Sequence, residues 1–208
     1  MLLPLIFCLL TAPEETSKDP TITRAGTVSV GIDGVFGFEW VRADFDSVFL
    51  ETENLPYSDN DRGFYLANAD TPFAPRTLLT VDYTIGSGFT AGVRGGYSRR
   101  SNRDENRTAF RWGGRLGYAI PLGSVALWGN IGFGHFRSQT RPDLEGAAVS
   151  EIVQGLQLTT DIDAVIPLSE LVSVVLGVTA WQSFDGKNFD YAIDALSASA
   201  DAGLLLTF

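Results

Sequence analysis

Eight stretches of this sequence place apolar residues at every second position, and the connections between them alternate between long and short. Successive side chains of a β-strand point to opposite faces, so each stretch reads as a strand with one apolar and one polar face. The first has Val28, Val30, Ile32, Phe36, Phe38 and Trp40 on one face, opposite Ser29, Gly31, Asp33, Gly37 and Glu39. Others start near Thr77, Phe89, Phe110, Val125, Gly155 and Val172. The last is Ala198 to Phe208, with Ala202, Leu204, Leu206 and Phe208 on its apolar face. Gly86-Ser87-Gly88, Pro121-Leu122-Gly123-Ser124 and Pro167-Leu168-Ser169-Glu170 are tight turns. Between them lie longer polar connections, of which the first, residues 41–76, is acidic, contains three prolines and shows no clean alternation. Long, short, long repeated around an even number of strands predicts an all-β fold, an eight-stranded antiparallel up-and-down barrel.

The placement of charge decides which kind of barrel. A soluble barrel keeps apolar side chains inside and polar ones outside. Here the bulky Leu, Val, Ile, Tyr and Trp share one parity, while Gly, Ser, Thr and nearly all strand charges share the other. Eight strands enclose an interior too narrow for the bulky set. An outward arginine at a bilayer midplane would cost roughly 2–4 kcal/mol, and Arg94 and Arg115 fall on the polar parity. The expectation is therefore a transmembrane β-barrel with its apolar face toward lipid. No apolar run is long enough for a membrane-spanning helix.

The terminal strand, with Leu204 and Leu206 leading to a final Phe208, resembles the closing strand of bacterial outer-membrane barrels. The whole pattern from about residue 27 to 208 resembles the small eight-stranded members of the OmpA, OmpX or opacity type, a porin-family-like architecture. The resemblance implies outer-membrane localisation, with extracellular long loops and both termini periplasmic. It also implies that Leu204, Leu206 and Phe208 serve as the signal read by the barrel-assembly machinery. Residues 1–12 form an apolar, signal-peptide-like segment without a basic start, and residues 13–26 read as a polar linker ahead of the barrel domain, 27–208.

The inward charges are expected to be Asp33, Glu39, Asp82, Arg94, Arg111, Arg115, Asp161, Asp163 and Asp201. In a narrow lumen they must pair or bear a penalty of several kcal/mol. A salt-bridged plug is the expected result, with a gated ion path through the same network as the competing reading. Trp40, Tyr97, Phe110, Trp112, Tyr118 and Phe208 are expected to form aromatic girdles at the membrane boundaries. Arg99, Arg100, Arg103 and Arg107 form a basic cluster in the second long loop, a candidate for lipopolysaccharide phosphates.

Composition narrows the function classes. A net charge of −10 argues against nucleic-acid binding. One cysteine excludes an internal disulfide framework. Asp59-Asn60-Asp61-Arg62-Gly63 holds half of a calcium-loop pattern without its downstream Glu, and reads as a solvated turn. A lipid-modifying enzyme would need a nucleophile beside a base. The only histidine, His135, is three residues from Ser138, a spacing that puts the two on opposite faces of a strand. Neither catalytic nor metal-ligating residues nor a cofactor are expected. The favoured role is a monomeric, non-enzymatic barrel contacting outer-membrane lipid and lipopolysaccharide and displaying surface loops for envelope integrity or adhesion. Its loop partner is not readable from these residues. The competing role is a narrow porin-like channel.

Overall fold

A computed structural model describes residues 20–47, 57–66, 75–101, 105–142, 151–184 and 191–208. The apolar segment 1–12 and Arg103 lie outside these. The strands are β1 (Val28–Ser47), β2 (Tyr57–Leu66), β3 (Leu78–Gly86), β4 (Phe89–Ser101), β5 (Glu105–Leu122), β6 (Val125–Pro142), β7 (Glu151–Pro167), β8 (Val172–Phe184) and β9 (Tyr191–Thr207). Neighbours pair antiparallel from β3 through to β9, and β9 returns to β1, closing the sheet on itself. Among the described residues no helix is long and apolar enough to cross a membrane, which leaves spanning by strands untouched.

Nine strands make only eight positions around the ring. One edge of β1 pairs along its length with β9. The other edge is shared: Val28 to Asp33 pair with β3, and Phe36 to Phe45 pair with β2. β2 and β3 thus occupy one position in succession. They are separated by a two-residue excess in β1, where Asp33, Gly34 and Val35 face the single Gly203 of β9. Gly34 adopts φ 66°, and a Cβ there would come within 2.5 Å of the Arg76 carbonyl oxygen. Thr77 Oγ1 donates to the Gly34 carbonyl at 3.0 Å, tying the start of β3 to this irregularity. Because the excess is even, the face parity of β1 survives it.

The expected long first connection is therefore corrected. β1 continues through Ser47, and Asp59 to Gly63 lie on β2 rather than in a turn. The basic cluster is corrected too. Arg99 and Arg100 are on β4 and Arg107 is on β5, with Arg99 opposite Thr108 and Arg100 opposite Arg107, so these three belong to strand extensions and not to a loop. The polar linker is ordered over residues 20–26. Thr21–Thr23 form one turn of 3-10 helix, and the Ile22 side chain is buried at 2% exposure.

The three tight turns all lie at the end of the barrel that also carries residues 20–26 and Phe208. There Gly88 and Gly123 adopt φ of 86° and 69°, which favours glycine. At the same end the Val28 and Phe208 backbones exchange hydrogen bonds of 3.1 and 2.8 Å. The outward face is a continuous apolar belt, with Leu79, Val93, Leu116, Ile131, Phe133, Ile162 and Leu204 among its exposed members. The inward face is polar above and apolar at the turn end, where Ile22, Trp128, Val165, Val175 and Leu205 pack together.

Candidate functional site: the lumen charge network

Position in the ladder dictates the lumen. β3, β4 and β5 run side by side, so the inward residues Asp82, Gly92 and Arg115 lie in one row across the three strands. Arg115 grips Asp82 through both carboxylate oxygens, Nε to Oδ1 at 2.8 Å and Nη2 to Oδ2 at 2.5 Å. Its Nη1 donates to Asp33 Oδ2 at 3.2 Å. Between them Gly92 carries no side chain; a Cβ there would run into the Asp82 carboxylate. Gly132 plays the same part for Arg94, whose Nη2 lies 2.5 Å from where a Cβ would stand. The inward glycines are space reserved for longer neighbours.

Arg94 donates from Nη1 to Asp161 Oδ2 at 2.9 Å, linking β4 to β7 across the barrel. Asn130 donates to Asp163 Oδ2 at 3.4 Å. Asp201 accepts from Thr179 Oγ1 at 3.3 Å and Ser199 Oγ at 3.1 Å. Glu39 accepts from Ser197 Oγ at 2.6 Å and from Trp181 Nε1 at 3.4 Å, and is paired with Arg76. Of the nine charges, Asp33 and Asp201 are half-buried and the other seven are buried, and those with ion pairs join β1, β3, β4, β5 and β7. Arg111 differs. It lies 5.9 Å from the centre of the Trp181 ring, and its Nε and Nη2 have no hydrogen-bond partner among the described residues. Together with Asp161 it lines a cavity of about 40 Å³, room for about three water molecules.

Below this network the path narrows to side chains. Trp128 is 1% exposed, donates from Nε1 to Thr90 Oγ1 at 3.0 Å, and has the Arg115 guanidinium 4.5 Å from its ring centre. Ile22 closes the turn end beneath it, and Thr84 Oγ1 donates to the Ile22 carbonyl at 2.9 Å, holding the segment in place.

Sequence reasoning missed three contributors. Arg76 sits in a stretch dominated by acidic residues, yet Glu39 needed a cation and Arg76 is two residues ahead of β3. Trp181 lies one residue past the point where clear alternation stops. Ile22 is a single apolar residue among polar ones, and nothing in its neighbours signals burial.

On the outward face, Trp40, Tyr97, Phe110, Trp112, Tyr118 and Phe208 are all exposed. Tyr97 is opposite Phe110, and Tyr118 packs with Phe89 at 4.7 Å between ring centres. His135 is on this outward face, 6.3 Å from the Trp112 ring centre, whereas Ser138 is buried on the inward face. The two cannot act as a base and nucleophile pair on this strand.

No protein-family model matches the chain, and no curated protein matches it in sequence. Solved structures do match in shape. Neisserial surface protein A is similar over 88% of this chain and 99% of its own, with 12% identity and a TM-score of 0.55. The outer membrane protein OprG from Pseudomonas aeruginosa is similar over 91% of this chain and 99% of its own, with 11% identity and a TM-score of 0.53. The fold is that of the small outer-membrane β-barrels. A barrel of this size can be a channel only if its lumen is open. In this one the lumen is occupied from Glu39 at one end to Ile22 at the other.

Proposed function

We propose that this chain is a non-conducting, non-enzymatic outer-membrane barrel that holds a surface platform, in the service of adhesion or envelope integrity. The supporting observation is the closed lumen: buried ion pairs, the Trp128 ring and Ile22 fill the path that a solute would take. The platform is the set of strand ends beyond the apolar belt, with β1, β5, β6, β7 and β9 each 17 to 20 residues long. A tilted transmembrane strand needs only about 9–11 residues. The excess projects at the end opposite the tight turns. The tight turns and both described chain ends face the periplasm in this reading, and the long connections face outward.

Planar-bilayer recording tests it. The wild-type barrel is expected to be silent, as is Ile22→Ala, because the ion-pair layer remains above the apolar stopper. Steady unitary conductance in the wild type would replace this reading with that of a narrow channel, for which the small cavity beside Arg111 would be the starting point.

Within the same proposal, the terminal strand is the assembly signal. Leu204 and Leu206 lie on the outward row of β9 beside β1, and Phe208 follows at its end, bonded to the Val28 backbone. Deleting Phe208 is expected to slow appearance of the folded, fast-migrating gel band several-fold in cells while leaving refolding in detergent micelles nearly unchanged. Equal slowing in both settings would assign Phe208 to stability alone.

A further inference from the structure

The apolar belt is not uniform. On β9 three successive outward positions are alanines, Ala198, Ala200 and Ala202, and they pair with the outward row of β1 formed by Trp40, Phe38 and Phe36. The short side chains leave a groove of about 590 Å³. Its floor is Ala200 and Ala202, one wall is Phe36, Phe38 and Phe64, and the other side starts at Leu176 and Val178 of β8 and reaches Ile162 and Leu127. Phe64 stands 79% exposed and packs edge-on to Phe38, with ring centres 5.2 Å apart, so β2 raises the aromatic wall above the level of β1.

Directly above this wall the register turns from apolar to charged, with two arginines first and the Asp44–Asp194 pair one position further along β1 and β9. Trp40 is opposite Arg62, and Arg42 is the next outward residue of β1. Both arginines are exposed. The spacing suits one lipid leaflet. From Arg42 down to Phe36 is six residues, roughly 20 Å of strand, which at a tilt near 45° spans about 14 Å of depth. Half of a typical hydrocarbon core is about 15 Å. A guanidinium pair at headgroup depth above an acyl-sized groove is complementary in charge and shape to a phosphorylated, acylated lipid, since guanidinium binds phosphate in a bidentate fork. Arg99 on β4 and Arg137 on β6 are also exposed, one outward position beyond Tyr97 and His135. A rim bearing several arginines fits a leaflet whose lipid carries more than one phosphate.

We propose that this groove and the Arg42–Arg62 pair form a seat for one lipid A molecule, its phosphates on the arginines and an acyl chain over Ala200 and Ala202. This rests on the membrane orientation proposed above but not on the lumen being closed.

The test is lipid retention by the folded barrel in phosphatidylcholine nanodiscs titrated with purified lipid A and, separately, phosphatidylglycerol, read by native mass spectrometry after release into detergent. The double variant Arg42→Gln/Arg62→Gln is expected to weaken lipid A retention at least about tenfold. Ala200→Phe, which fills the groove on the outward face, is expected to do the same without losing the folded gel band. Phosphatidylglycerol, with one phosphate, is expected to be held less tightly than lipid A and to lose less in the double variant. Unchanged lipid A retention in either variant overturns the proposal. So does equal retention of both lipids. A cross-linked dimer abolished by Ala200→Phe, with lipid A retention intact, would overturn it in favour of a second copy of the chain. Conductance plays no part in any of these outcomes, so failure here and failure of the closed-lumen reading are separable.

Discussion

Replacing Arg115 with Met is expected to lower the unfolding free energy of the barrel by about 3–5 kcal/mol, the cost of breaking a buried ion pair by removing one partner. Arg115 is 4% exposed and bridges Asp82 and Asp33, bonding to both carboxylates. Its loss leaves two carboxylates on β1 and β3 without the guanidinium that bridges them. The methionine would still cover the Trp128 ring, so lost packing contributes little. The expected readout is a lower urea midpoint for the folded, fast-migrating gel band in detergent. Adding Asp82→Asn and Asp33→Asn to Arg115→Met is expected to recover at least half of the loss, because a neutral cluster carries no stranded charge. An Arg115→Met barrel as stable as wild type would mean that the network contributes nothing to stability.

The second large effect is on the outside. Val93 lies midway along the outward row of β4, between Phe89 and Tyr97, and is exposed. Val93→Arg is expected to cost about 2–4 kcal/mol in a bilayer, whereas Tyr97→Arg, at the boundary, should cost about 0–1. Both can be measured by reversible unfolding from phospholipid vesicles. The depth dependence is the point. A barrel in water would show two small and similar values, and that result would remove the membrane reading altogether.

How far the sequence carries depends on whether both faces of a strand differ. Inside the apolar belt they do, and the parity of every inward charge from Asp33 to Asp201 can be read directly. Even the two extra residues at Asp33 to Val35 leave the pattern intact, because an even insertion returns the next side chain to the same face. Beyond the belt both faces meet water or polar neighbours, and the alternation disappears while the ladder continues. That is why the outer ends of β5 and β6, with Arg107 opposite Thr140, read as loops. β2 is hidden for the same reason: Tyr57 to Leu66 is mostly polar, and its outward Phe64 acquires meaning only beside Phe38. In the lumen, residue types announce that pairing must occur but not which partner wins. Arg76 enters from outside the recognisable strands, so the partner of Glu39 could be found only once β3 was placed.

The seam between β1 and β9 imposes an order of events. Every pairing from β3 to β9 joins strands adjacent in the chain, and a hairpin can set its register as it forms. The seam joins residues such as Glu39 and Ser197, 158 positions apart in sequence, and the entropy of bringing distant ends together grows with the length between them. It is therefore expected to zip last. Ile22 belongs to one buried cluster with Leu205 of β9 and Ala119 of β5, strands that share a lumen only when the ring is complete. The N-terminal segment thus acts as a seal applied to a finished cylinder: protease protection of residues 20–26 would time the final step of assembly, later than any signal from the hairpins.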